Sequence, residues 1–318
     1  MTFWSERRVL ITGGHGFLGS AIRRLVEERR PRELHAPQSS ELDLRERDAI
    51  RAFLAQHHPD VVIHAAAVVG GIGANQAHPG RFFYENATMG IQLIEECRRA
   101  GVEKFVCIGT VCAYPKFTPT PFHESDLWNG YPEETNAPYG VAKKMLLVQL
   151  QSYRTEYGFN GVFVLPANLY GPNDNFDYQT SHVIPALIRK VITAKAHGQD
   201  YVVVWGDGTP TREFLYVDDA ARGIVMTAER YESPEPMNLG TGEEVTIKDL
   251  VQMISEALNF KGTARWDYSK PNGQPRRRLD ITRALQEIGF KPEVSLREGV
   301  TRTAKWYLNE CVLKPFTK

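Results

Sequence analysis

The chain has 318 residues, 42% of them apolar and 24% charged, and its 38 Lys+Arg balance 38 Asp+Glu. This is a globular composition, long enough for one large α/β domain or two smaller units, with no basic excess to hold a nucleic acid or an anionic membrane surface. The four cysteines (Cys97, Cys107, Cys112, Cys311) have neither metal-ligand spacing nor the pattern of a secreted disulfide framework, and residues 1–8 lack the apolar run of a signal peptide, so reduced thiols, no metal and a cytoplasmic protein are expected.

Residues 8–12 (Arg-Val-Leu-Ile-Thr) read as a buried strand, and 21–30 as an amphipathic helix. Between them lie Gly13, Gly14, His15, Gly16, Phe17, Leu18 and Gly19. Glycines at 13, 16 and 19 between a strand and a helix suit a tight turn that brings backbone N–H groups close to a pyrophosphate. A short strand follows near Leu34. The segment after it, Pro37-Gln38-Ser39-Ser40, carries neither the acid that meets a ribose 2′-hydroxyl nor the base that meets a 2′-phosphate. Cofactor choice between NADP(H) and NAD(H) is therefore open, with His15, Ser39 and Ser40 as candidate phosphate contacts. Asp43, beside Leu44, has two readings of equal weight: a contact to adenine, or the N-cap of a helix over 45–57.

Residues 60–64 form the next strand and run into Ala65-Ala66-Ala67, whose small side chains let a ribose or a ring lie against the backbone. His64 is expected to be structural. A helix over 79–100 and an apolar strand over 104–108 follow, with Cys107 in the core. Alternating strands and helices predict a parallel, doubly wound sheet whose ligands bind at the carboxyl ends of the strands. Thr110 and Cys112 stand at one such end. Tyr139 and Lys143 are four residues apart on the following helix and share a face, so the lysine is expected to lower the tyrosine pKa.

Beyond Gly171 the alternation breaks. The pattern gives a polar loop over 173–181, helices over 182–197, 220–230, 247–258 and 297–310, and strands over 201–205 and 237–240. Asp218 and Asp219 read as an N-cap pair. We expect a dinucleotide-binding unit over 1–170, with segments near 200–240 returning to it, and a smaller substrate-binding lobe over 171–318. The run Arg276-Arg277-Arg278 reads as a solvated face or a small anionic-ligand site, and 270–276 as a mobile loop.

The glycine loop, the hydroxyl after a strand and Tyr-x-x-x-Lys resemble the extended short-chain dehydrogenases/reductases. Longer stretches resemble the GDP-L-fucose synthases, the GDP-4-keto-6-deoxy-mannose epimerase/reductases. They include 69–75 (VGGIGAN), 112–116 (CAYPK), 134–140 (ETNAPYG), 168–176 (NLYGPNDNF), 181–188 (SHVIPALI), 205–210 (WGDGTP) and 212–219 (REFLYVDD). The resemblance implies an α/β fold: a doubly wound parallel Rossmann sheet with a smaller, discontinuous C-terminal substrate-binding lobe. It implies that Thr110, Tyr139 and Lys143 serve C4 reduction, and that Cys112 and His182 are the acid/base pair for epimerisation. It places Pro166, Asn168, Leu169 and His182 beside an NADP(H) cofactor, and Asn168, Lys190, Trp205, Arg212 and Lys270 on a GDP-linked sugar. Threonine replaces the family's usual serine at 110, His15 and Ser39 stand where it has arginines, and Asn272 where it has aspartate. Helices 82–100 and 139–157 are expected to form a homodimer interface. Other readings are a reductase or epimerase/reductase of another GDP-4-keto sugar, such as a 6-deoxy-heptose, and a non-catalytic dinucleotide sensor.

Overall fold

A computed structural model describes residues 2–270, 272 and 274–312. Its first half runs β1 (Arg8–Thr12), α1 (Phe17–Glu28), β2 (Glu33–His35), α2 (Arg47–His57), β3 (Val61–His64), α3 (Ile72–Ala77), α4 (Pro79–Arg99), β4 (Lys104–Ile108), α5 (Ala137–Tyr157) and β5 (Gly161–Pro166). The second half runs β6 (Asn168–Tyr170), α6 (Val183–Ala196), β7 (Tyr201–Trp205), β8 (Thr211–Arg212), β9 (Phe214–Tyr216), α7 (Val217–Arg230), β10 (Met237–Leu239), β11 (Val245–Thr246), α8 (Ile247–Ala257), β12 (Thr263–Asp267) and α9 (Leu296–Tyr307).

Six strands form one sheet in the order β10-β5-β4-β3-β1-β2, and every neighbouring pair is parallel. β3, β4 and β5 are buried at every residue, as strands covered on both faces must be. Helices α2, α4 and α5 pack together on one face and α1 and α7 on the other, so the sheet is doubly wound. The chain reverses its direction of travel across the sheet between β1 and β3, the crevice where such folds bind nucleotides.

A second core gathers Tyr170, Ile188, Val202, Phe214, Ile254 and Val300 from the later elements. There β7 pairs with β12, β6 with β9, and β8 with β11. Of the segments expected to return near 200–240, β7 stays in this second layer, whereas α7 and β10 rejoin the large sheet. The capping expected at 218–219 is not seen. α7 begins at Val217, and Asp219 instead accepts backbone N–H bonds from Glu293 and Val294 and pairs with Arg222. Among the described residues no helix is long and apolar enough to cross a membrane.

Candidate active site

At the carboxyl end of β4 the chain turns sharply. Thr110 is extended (φ −157°, ψ 143°), and its Oγ1 accepts the Cys112 N–H at 3.2 Å, capping a single 3-10 turn over Val111–Ala113. α5 lies against this turn through Gly140. A Cβ there would sit 2.4 Å from the Cys112 carbonyl oxygen, so a larger residue would force the helix away. The close approach brings the Tyr139 phenol near enough to the Thr110 side chain for that hydroxyl to act on it. Thr110, Cys112, Tyr139 and Lys143 therefore meet at one corner.

The electrostatics of that corner differ from the sequence expectation. Lys143 does not lower the Tyr139 pKa. Burial pushes the phenol upward, the nearby Cys112 and Cys107 add to this, and only the Thr110 hydrogen bond opposes it. Lys143 is itself buried, and desolvation lowers its pKa. Tyr139 is thus held firmly protonated, as a donor. Beneath the pair, the buried His64 ring sits with Nδ1 2.8 Å from Thr12 Oγ1. Burial, reinforced by Lys143, drives its pKa well below 6.5 and keeps it neutral. Cys107 is buried in the core.

The glycine loop forms the other side of the crevice. Gly13 has φ +71°, and a Cβ on it would lie 2.7 Å from the Ala66 nitrogen, filling the cradle between the β1 and β3 ends. α1 starts at Phe17 behind Gly16, with no side-chain cap and no acidic residue in its first turn. Its first N–H groups and dipole are left for an anion, and the cradle fits a dinucleotide pyrophosphate. Leu18 and the buried Gly19 lie within the first turn. His15 Nε2 lies 2.9 Å from the Ala36 carbonyl oxygen, over the end of β2, and Ser39 is exposed just beyond.

Asp43 does not cap a helix. α2 begins at Arg47, and the Asp43 carboxylate instead grips Arg45 through its backbone N–H and guanidinium, which lowers its pKa to about 2. Leu44 is buried in the sheet core. Ala65, Ala66 and Ala67 follow β3 and are half-buried. Pro166 ends β5, Leu169 pairs with Leu215, and the Asn168 amide donates to the Glu213 carbonyl at 2.8 Å.

The remaining predicted residues line the second layer. His182 stands at the head of α6, where the preceding Thr180 and Ser181 pack against Gly71. Its side chain keeps open surface, yet the surrounding atoms lower its pKa by desolvation. Trp205 is 53% exposed and lies between two ammonium groups, Lys190 at 5.8 Å and Lys270 at 5.5 Å from the ring centroid. An exposed indole flanked by cations offers a stacking face and charge to an anionic nucleotide. Asn272 accepts the Asp207 N–H at 3.0 Å, a bond that aspartate could also accept. Within the expected loop over 270–276, Pro271 and Gly273 lie outside the described residues. Arg212 donates to the Thr211 and Gln274 carbonyls. Burial and the neighbouring Arg277 lower its pKa to about 10.

The solvated-face reading of the arginine run holds only in part. Arg276 pairs with Glu244, but Arg277 is buried, with Nη1 3.6 Å from Cys112 Sγ, and is not part of a solvated face. The backbone that carries it is tied down by Glu213, a buried residue that was also missed. Its carboxylate accepts N–H bonds from Thr241, Gly242 and Leu279, while its own N–H donates to the Arg277 carbonyl. Three consecutive arginines were the visible signal. The burial of the middle one depends on contacts across 165 residues.

Residues 9–240 match the model of the NAD dependent epimerase/dehydratase family. The chain belongs to this family. It is 42% identical over 305 residues to GDP-L-fucose synthase 1 of Arabidopsis thaliana, covering 96% of this chain and 94% of that protein. It superimposes with a TM-score of 0.87 on a GDP-L-fucose synthetase from Naegleria fowleri bound to NADP, at 30% identity and covering 97% and 96% of the two chains. A GDP-6-OMe-4-keto-L-xylo-heptose reductase from C. jejuni gives a TM-score of 0.89 at 25% identity, covering 98% and 100%. This family member is an NAD(P)-dependent epimerase/reductase, and the sensor reading falls away.

Proposed function

We propose that this enzyme converts GDP-4-keto-6-deoxy-mannose, or a close relative, to GDP-L-fucose by epimerisation at C3 and C5 followed by reduction at C4. The observation that carries this reading is the Cys112 thiol set at the same corner as Thr110 and Tyr139. A C4 reductase needs only the hydroxyl and the phenol. The thiol adds a group that can exchange protons near neutral pH.

A C4 ketone acidifies the hydrogens at C3 and C5. One group removes such a proton, the electron pair moves into the C–O4 enolate, and a second group returns a proton on the opposite face. Cys112 and His182 are the pair assigned to these steps. Thr110 and Tyr139 donate hydrogen bonds to O4 as its charge grows. When bound, NADPH supplies the hydride that reduces C4. Tyr139, kept protonated by burial, gives O4 its proton. Lys143 holds the cofactor ribose and orients Tyr139. Gly13, Gly16 and the open end of α1 take the pyrophosphate, and Ala65–Ala67, Pro166, Asn168 and Leu169 frame the nicotinamide side. NADP(H) is the preferred cofactor, and the NADP-bound relative supports this. His15, over the end of β2, would meet a 2′-phosphate in this reading.

Trp205, Lys190, Lys270 and Arg212 bind the GDP moiety in this reading. α4 and α5 leave Phe83, Tyr84, Ile91 and Val148 exposed on their outer side, which supports a homodimer built on those helices. The four free cysteines support a cytoplasmic setting. A reductase of another GDP-4-keto sugar is the second reading, favoured by the likeness to the heptose reductase. Incubation with a panel of GDP-4-keto sugars and either NADPH or NADH, followed by NMR of the product, decides between them. GDP-L-fucose formed fastest with NADPH is expected. Turnover of heptose substrates alone would overturn the first reading.

A further inference from the structure

We propose that Arg277 is a positioning residue for epimerisation, whose guanidinium pairs with the Cys112 sulfur in its thiolate state. The inference rests on the assignment of Cys112 as a proton-exchanging group. In one half of its cycle Cys112 holds the S–H bond. In the other half the proton has passed to a sugar carbon or to solvent, and the electron pair stays on sulfur. A thiolate in a half-closed cleft needs a cation.

The geometry supplies one. Arg277 Nη1 lies 3.6 Å from Cys112 Sγ. The other edge of the guanidinium is fixed, because Nε and Nη2 both donate to Gln274 Oε1, at 3.1 and 2.9 Å. Gln274 in turn donates its amide to the Lys116 carbonyl at 2.9 Å, beyond the turn that carries Cys112. The backbone is anchored on both sides: Glu213 N–H donates to the Arg277 carbonyl at 3.1 Å, and Phe122 N–H to the Arg278 carbonyl at 2.7 Å. Among the described residues no carboxylate forms an ion pair with Arg277.

Four other groups shape the surroundings. Arg212 on β8 interacts electrostatically with both Cys112 and Arg277, and Glu133, ahead of α5, acts on Arg212. Tyr139 faces the sulfur from α5, and Thr110 holds the Cys112 backbone N–H. Of the two guanidinium groups, Arg277 is the one within hydrogen-bonding distance of the sulfur.

The test is the reactivity of Cys112 toward iodoacetamide, read by peptide mass spectrometry in a Cys311→Ser background, since Cys311 is exposed while Cys97 and Cys107 are buried. Arg277→Met should slow alkylation at pH 7 about tenfold. At pH 10, where the thiol ionises without help, the rates should converge. Arg277→Lys should recover most of the loss at pH 7, and it remains a test if the methionine variant does not fold. In turnover, Arg277→Met should lower kcat for solvent deuterium entry about tenfold with KM for the GDP-sugar little changed. An unchanged alkylation rate at pH 7 in a folded Arg277→Met protein would overturn the proposal. So would a raised KM with unchanged kcat, which would make Arg277 a diphosphate anchor. Deuterium entry that survives Cys112→Ser would remove the role of Cys112 itself, while the alkylation result would still report on the pairing.

Discussion

Gly140 and Cys112 are in van der Waals contact across the active-site corner, and a Cβ at 140 would stand 2.4 Å from the Cys112 carbonyl oxygen and 3.0 Å from its carbonyl carbon. That contact sets how far the first turn of α5, with Tyr139, reaches over Thr110. Gly140→Ala gains helix propensity but collides with backbone, which cannot rotate aside. Overpacking of this kind costs about 1–3 kcal/mol. We predict a lower melting temperature and a large fall in kcat with cofactor binding retained. A Gly140→Ala enzyme at least as stable and active as the parent would contradict the packing argument.

Tyr139 is held protonated by desolvation in its corner beside Thr110. Tyr139→Phe keeps the ring and its packing but removes the proton that O4 receives. C4 reduction should fall by about 10²–10⁴-fold, the usual worth of a positioned acid. Deuterium exchange at C3 and C5 should survive in part, because that step draws on other groups. Stopped-flow loss of NADPH absorbance, run beside NMR of the recovered keto sugar, separates the two.

A buried histidine makes the fold acid-sensitive. The pKa of His64 is lowered in the native state by burial. The unfolded chain therefore binds a proton that the folded chain refuses, so the stability it contributes is complete above about pH 6.5 and is lost as pH falls below it. Carboxylates paired with arginine, such as Asp43 and Glu95 at about 2, lose their contribution only at lower pH. Replacing His64 with Gln should lower stability at pH 7.5 yet flatten the decline between pH 7 and 5. Parallel curves of urea midpoint against pH for parent and variant would count against it.

Asp174 titrates in the opposite sense. Burial raises its pKa to about 7, opposed by the Asn175 backbone N–H, and its Oδ2 has no partner among the described residues. Its protonated form is the one the fold prefers, so stability drops as pH rises from about 4 through 7. Asp174→Asn should stabilise the protein at pH 8 by roughly 1–3 kcal/mol and do little at pH 5. Denaturation at both pH values gives the answer. Equal effects at the two would show that the carboxyl does not titrate there.

Much of this was legible along the chain. The runs at β1, β3 and β4 are short, apolar and buried, and glycines mark the turn after β1. The run at β5 is equally apolar and buried. β12, with the sequence Thr-Ala-Arg-Trp-Asp, gives no clear alternation and is a strand because β7 pairs with it. The Tyr139–Lys143 spacing placed both groups on one face, but spacing does not report burial, and burial decides the direction of both pKa shifts. Arg277 and Glu213 matter through contacts made in three dimensions by chain segments far apart in sequence.

The central claim is that Cys112 and His182 epimerise the sugar before Tyr139 completes its reduction. The most direct test is turnover of GDP-4-keto-6-deoxy-mannose with NADPH in deuterium oxide, with the product read by NMR. The account predicts GDP-L-fucose carrying solvent deuterium at C3 and C5, and hydrogen from NADPH at C4. A C4-reduced product that keeps its original hydrogens and configuration at C3 and C5 would contradict it.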